Sequence, residues 1–242
     1  MKTADEARPS KGAGRERQVR KIFSEIAPRY DLLNHVLSMN VDRGWRRKAV
    51  DRLAFETAAQ GSYLDACAGT FDLSLELTAR KGFSGRVLAS DFARPMLIQG
   101  MPKLEGRTII PVCGDTLCLP FLDGTFDGAM VAFGVRNLSD LQRGLDEFFR
   151  VLKPNRRLVI LEFTEPPNPL LRRFYLFYFR RVLPLVGRLV SGHPWAYTYL
   201  PESVKDFPNP EGLAGLMREA GFRETTWELL SGGIAALHVG VR

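Results

Sequence analysis

Ser62-Tyr63-Leu64-Asp65-Ala66-Cys67-Ala68-Gly69-Thr70-Phe71-Asp72 is the stretch on which the fold turns. An apolar run of buried-strand length leads into four small residues, Ala66, Cys67, Ala68 and Gly69. Small side chains let a backbone turn tightly into a helix and approach a ligand closely. Downstream, RVLAS (86–90), TIIPV (108–112), FDGAMVAF (126–133) and RLVILEF (157–163) are further short apolar runs, with helical stretches between them. Strands alternating with helices predict βαβ units and a parallel sheet covered on both faces.

The helical stretches carry their own signals. Leu141, Leu145, Phe148 and Leu152 share one face, with Ser139 and Gln142 spaced like a capping box. Leu213, Leu216, Met217 and Ala220 mark another helix, closed by Gly221 at C′. Runs around Thr226 and Leu237, joined through Gly232-Gly233, read as a hairpin. Before the first strand, Val19, Ile22, Phe23 and Ile26 recur at helical spacing up to Pro28. Val41, Trp45, Ala49 and Leu53 form a second helix with Asn40 as its N-cap. The expected organisation is a basic mobile tail over 1–17 and one domain over 18–242. Within that domain, 18–55 is a helical cap and 165–210 an insertion facing substrate or membrane.

Composition limits the function. The 242 residues are 45% hydrophobic and 25% charged, as in an ordinary globular chain. The apolar stretch 174–190 is interrupted by Arg180, Arg181 and Arg188, which argues against a membrane span. The opening residues lack the apolar core of a signal peptide, and Asp5 and Glu6 argue against a transit peptide. Cys67, Cys113 and Cys118 provide neither a disulfide framework nor zinc spacing, so a reducing cytoplasm is the expected compartment and no metal is expected. A net charge of +7 admits nucleic acid, an anionic membrane surface, or simply a solvated basic exterior.

Ligands of open parallel sheets bind beyond the carboxyl ends of the strands, where strand order reverses. Three acids end three successive strands: Asp65, Asp91 and Asp115. An acid in the position of Asp91 can accept hydrogen bonds from a ribose diol, and Asp115 with Thr116 can meet an adenine edge. Neither a G-x-G-x-x-G fingerprint nor a P-loop is present, which counts against NAD and ATP.

Several blocks stand in a fixed order. They are Arg29-Tyr30-Asp31-Leu32-Leu33-Asn34, Asp65 to Asp72, Leu119-Pro120-Phe121, Phe126-Asp127, Phe133-Gly134-Val135-Arg136-Asn137, Arg150-Val151-Leu152-Lys153-Pro154 and Tyr197-Thr198-Tyr199-Leu200-Pro201-Glu202-Ser203. In this the chain resembles the ubiquinone/menaquinone biosynthesis C-methyltransferases, from about Val19 to its end. The resemblance implies a Rossmann-like class I methyltransferase fold with a seven-stranded, mostly parallel sheet. It implies S-adenosylmethionine as cofactor and S-adenosylhomocysteine as product, with Gly69 and Thr70 at the methionine part, Asp91 at the ribose, and Asp115 and Thr116 at the adenine. Phe71 and the pair Asn155-Arg156 stand where the family usually has glycines, and Ala132 replaces a common hydroxyl. Phe71 must therefore point its ring away from the ligand, or the loop takes another shape.

The implied reaction joins a methyl group to an electron-rich carbon of a polyprenyl quinol ring, with demethylmenaquinol favoured. Phenolate charge has to be stabilised as it develops. Arg136 is the first candidate, as a fixed charge rather than a base, against an ordinary ion pair that anchors its loop. Asn137 either orients a ring oxygen or caps the helix carrying Leu141. Tyr30 either contacts substrate or packs. Tyr199 and Glu202 line the quinol pocket or hold a loop, and His193 and His238 are weaker proton-acceptor candidates. The stretch 170–190, rich in aromatics and arginines, suits a membrane surface or a homodimer contact. No nucleic acid is expected, since no RNP or zinc-finger pattern occurs. A methyltransferase of another lipid or small molecule, an RNA methyltransferase, and a binder without activity are the alternatives.

Overall fold

The computed structural model describes residues 14, 19, 24, 27, 40–178, 181 and 196–242. The expected tail, most of the helix around Ile22, Tyr30, His193 and most of 179–195 lie outside the described residues.

Seven strands form one sheet in the order β3-β2-β1-β4-β5-β7-β6. They are β1 (Ser62–Ala66), β2 (Arg86–Asp91), β3 (Ile109–Cys113), β4 (Gly128–Ala132), β5 (Arg157–Phe163), β6 (Arg223–Leu230) and β7 (Ala235–Val241). The first five are mutually parallel, while β7 runs antiparallel to both β5 and β6. The predicted Rossmann-like sheet and its late hairpin are thus both present.

Side chains alternate along each strand, so β1 feeds two cores. Tyr63 joins Trp45, Val50, Leu77, Met130 and Val159 on one face. Leu64 and Ala66 join Phe126, Val131, Leu145, Phe148, Leu158 and Met217 on the other. Helices α1 (Val41–Leu53) and α2 (Asp72–Thr78) supply the first core; α3 (Arg94–Gly100) is the β2–β3 crossover. Helices α4 (Leu141–Val151) and α7 (Pro210–Glu219) supply the second. Removing a ring such as that of Phe148, which has no exposed surface, would cost about 3–5 kcal/mol. Between them, α5 (Pro169–Phe177) and α6 (Ala196–Lys205) belong to the predicted insertion.

Two capping expectations are corrected. Asp140, not Ser139, caps α4: its backbone is extended and its side chain accepts the Arg143 N–H at 3.0 Å. Gln142 instead donates to Asp146, one turn along its own helix. Asn40 does occupy the N-cap position of α1, but in left-handed geometry (φ 61°) without a side-chain cap bond. Among the described residues no helix is long and apolar enough to cross a membrane.

Candidate functional site

The chain runs outward through β2 and β3, then returns to place β4 on the other side of β1. A crevice opens where the order reverses. It is lined by the β1–α2 turn (Cys67, Gly69), the end of β2 and start of α3 (Asp91, Phe92, Met96), the loop after β3 (Asp115, Thr116, Leu117) and the segment after β4 (Ala132–Gly134, Asn137–Ser139). Ala27, from the N-terminal region, packs against Met96 and Ala93.

The β1–α2 turn holds Cys67, Gly69 and Phe71 in left-handed backbone geometry, at φ 51°, 54° and 73°. Phe71 turns its ring into the first core, where it is fully buried. Room for it comes from Gly100, whose absent Cβ would lie 2.6 Å from the ring. The ring thus points away from the cleft, the first of the two options its position allows. Asn155, the other residue in a usual glycine position, also has positive φ, at 60°.

Asp91 lines the cleft at the end of β2. Its Oδ2 accepts the Gly69 N–H and its Oδ1 the Ala93 N–H, both at 2.8 Å. Burial pushes its carboxyl up to about 6, against the pull of these two bonds. A carboxylate offers roughly four acceptor directions, so a ribose diol still has a place on it. Asp115 accepts the Leu117 N–H at 2.9 Å, and Thr116 Oγ1 lies 3.5 Å from Cys67 Sγ. Burial drives the Cys67 thiol up to about 12, so it is no nucleophile at neutral pH. The cleft wall therefore carries two carboxylates and, among the described residues, no basic side chain. Phosphate ligands are disfavoured there, whereas a cation is favoured. The residues fit S-adenosylmethionine, which brings a sulfonium, an ammonium, a ribose diol and an apolar purine face.

Asp65 and Thr70 stand behind the turn rather than on the cleft wall. Asp65 Oδ2 accepts the Ser74 N–H at 3.0 Å and the Ser74 hydroxyl at 2.5 Å, which ties α2 to β1. Burial raises its carboxyl to about 7. The Thr70 carbonyl accepts from Lys103 at 3.2 Å, and the same ammonium bonds Asp72 at 3.0 Å.

Arg136 is also absent from the cleft wall. Its guanidinium is buried against Glu162 Oε1 at 2.7 Å, bonds the Phe133 carbonyl, and lies over the Phe163 ring. This is the loop-anchoring ion pair, the plainer of the two roles its position allows. Asn137 does face the cleft, and its Oδ1 accepts the buried Tyr199 hydroxyl at 2.8 Å. With Asp140 capping α4, the capping alternative for Asn137 falls. Glu202 is exposed on α6. His238 is buried, with Nε2 2.9 Å from the Pro210 carbonyl, and burial lowers it to about 4. Phe92, Met96, Leu117, Leu138, Ser139 and Glu162 were not foreseen. Only Glu162 had a signal, a lone acid inside an apolar strand run.

Comparison with known proteins agrees with this geometry. A family model described as "ubiE/COQ5 methyltransferase family" matches residues 11–242. The chain is similar to a demethylmenaquinone methyltransferase of Thermus thermophilus, with 50% identity covering 91% of this chain and 100% of that one. It is similar to a protein of the same name from Deinococcus radiodurans, with 46% identity covering 92% and 91%. Among solved structures, the [4+2]-cyclase SpnF shares the fold, with a TM-score of 0.69 and 16% identity over 93% of this chain and 96% of that one.

Proposed function

The chain belongs to the ubiE/COQ5 methyltransferase family, and from that premise we propose that it methylates a ring carbon of a polyprenylated quinol, with demethylmenaquinol as substrate. The observation that supports the cofactor in this reading is a cleft at the sheet's switch point with two carboxylates and, among its described lining, no cation, while the quinol acceptor rests on the family. When bound, S-adenosylmethionine supplies an electrophilic methyl group on a sulfonium. Asp91 holds the ribose hydroxyls, while Asp115 and Thr116 lie along the adenine. Gly69 lets the backbone pass close beneath the methionine part. Asp65 and Thr70 support that turn from behind. On the acceptor side, Asn137 with Tyr199 orients a ring oxygen, and Arg136 acts through the loop that it anchors. Tyr30 and Glu202 contact the acceptor, as the resemblance implies.

The substrate's lipid tail calls for a membrane surface. Leu170, Phe174 and Phe177 lie along one stripe of α5 and are 64%, 64% and 61% exposed. Arg172, Arg173 and Arg181 border a hollow beside them. Apolar insertion flanked by arginines is the pattern of an interfacial helix. A second copy of the chain is the alternative occupant of this face.

The test is direct. The chain is incubated with S-adenosylmethionine and a reduced short-tail demethylmenaquinol, or the matching benzoquinol, and products are weighed by mass spectrometry. One added methyl on the naphthoquinol ring is expected. Transfer to neither ring, with cofactor binding intact, overturns the proposal.

A further inference from the structure

Glu162 is the lone acid in the apolar run of β5 and is 1% exposed. Carboxylates are seldom buried this deeply without a task for their oxygens. Its Oε1 takes the Arg136 guanidinium at 2.7 Å and the Phe163 N–H at 2.9 Å. Its Oε2 takes the Arg136 backbone N–H at 3.3 Å. One carboxylate thus grips both the main chain and the side chain of Arg136, and so pins the segment after β4 onto β5.

That segment needs pinning. Phe133 has φ 59°, a left-handed conformation that costs a bulky residue energy and persists only when its surroundings impose it. Its N–H bonds the Leu161 carbonyl at 2.8 Å, and its carbonyl is bonded by Arg136 and by the Asn137 amide. Its ring lies 4.5 Å from that of Phe163. Strain at a cleft-lining residue, enforced by a buried pair behind it, is how a site is preorganised.

We propose that Glu162 is a positioning residue for methyl transfer: by clamping Arg136 it holds the strained Phe133–Asn137 segment in the shape that presents Asn137 to the acceptor. This rests on the quinol methyltransferase reading for its catalytic consequence, although not for the clamp itself. Glu162 is not among the residues that line the cleft, so its effect on rate is exerted through the loop.

Glu162→Gln keeps the side chain's size while removing its charge, and Glu162→Asp keeps the charge. Cofactor affinity is measured by calorimetry, single-turnover methylation with a short-tail quinol, and amide hydrogen exchange across 133–138. In Glu162→Gln the affinity stays near wild type while the single-turnover rate falls about a hundredfold, the scale of an ångström-sized misplacement. Exchange at Arg136 and Asn137 speeds up about tenfold as the local opening energy drops. Glu162→Asp recovers part of the rate. Unchanged exchange and rate in Glu162→Gln overturn the proposal. So does a parallel loss of melting temperature, affinity and rate without any split, which would mean a general structural role. A wild-type chain that binds cofactor but methylates no quinol refutes the functional reading instead, and the exchange measurement still decides the clamp.

Discussion

Tyr199 donates its phenolic hydrogen to the amide oxygen of Asn137 at 2.8 Å, which ties helix α6 of the inserted segment to the wall of the cleft. The two residues lie 62 positions apart. Through this bond the amide of Asn137 is oriented, so the position of α6 and the aim of a cleft group are linked.

Tyr199→Phe removes that bond. A buried hydrogen bond contributes about 0.5–1.5 kcal/mol, so KM for a short-tail quinol should rise about threefold to tenfold. Cofactor affinity should not change, because Asp91 is on another strand. A KM equal to that of wild type in steady-state assays would separate the insertion from acceptor binding.

Asp91 gives a pH signature. Burial raises its carboxyl from 3.8 to about 6, so the folded chain holds this proton more tightly than the unfolded chain does. Its contribution to stability is therefore greatest below pH 3.8 and declines as pH rises toward 6. In the proposed ribose contact cofactor binding runs the other way, because only the carboxylate can accept from both ribose hydroxyls. Calorimetry at pH 5 should give affinity about tenfold weaker than at neutral pH, and Asp91→Asn should flatten the profile. Asp91→Ala should lose about 1.5–3 kcal/mol of binding. A flat wild-type profile would move the ribose elsewhere.

The strands were legible because runs such as Leu158–Leu161 are buried on both faces and read as unbroken apolar sequence. The place of Asp91 on the cleft wall was legible because an acid at a strand's carboxyl end stands at the open edge of such a sheet. The same logic misplaced Asp65. Strand alternation turns its side chain to the α2 face, where Ser74 meets it, and only the helix position reveals that. The partnership of Arg136 with Glu162 spans 26 residues and exists because β4 pairs with β5, a register that single-strand patterns do not encode. Asp140 won the cap from Ser139 by one position, a choice that local composition leaves open.

The apolar stripe of α5 makes a prediction about surfaces. Vesicles containing anionic lipid should co-sediment the chain more strongly than neutral vesicles, because arginines flank Leu170, Phe174 and Phe177. Phe174→Asp should weaken this, since burying one aromatic ring is worth about 1.5–3 kcal/mol. Equal recovery from lipid-free and lipid-containing tubes, with a dimer in light scattering, would assign the face to a second copy.

Phe71 sets two effects against each other. Left-handed geometry costs a non-glycine residue about 1–2 kcal/mol, so Phe71→Gly relieves strain. Removing a fully buried ring costs about 3–5 kcal/mol, which outweighs that relief. Net destabilisation of about 1–4 kcal/mol is therefore expected in denaturant melts, even though glycine is the usual family residue. The ring faces the core and not the cleft, so cofactor affinity should hold. The partner of the ring is Gly100, where an added Cβ would lie 2.6 Å from the Phe71 ring and 2.9 Å from the Thr70 Cα. Gly100→Ala should thus be costly in the wild-type chain and less so in one that already carries Phe71→Gly, where the ring clash is gone but the backbone contact with the Thr70 Cα at 2.9 Å still has to be relieved. Contacting residues commonly show coupling of about 0.5–3 kcal/mol in such a cycle. Additive costs would mean that the two positions do not share one slot, and that Phe71 is accommodated by some other means.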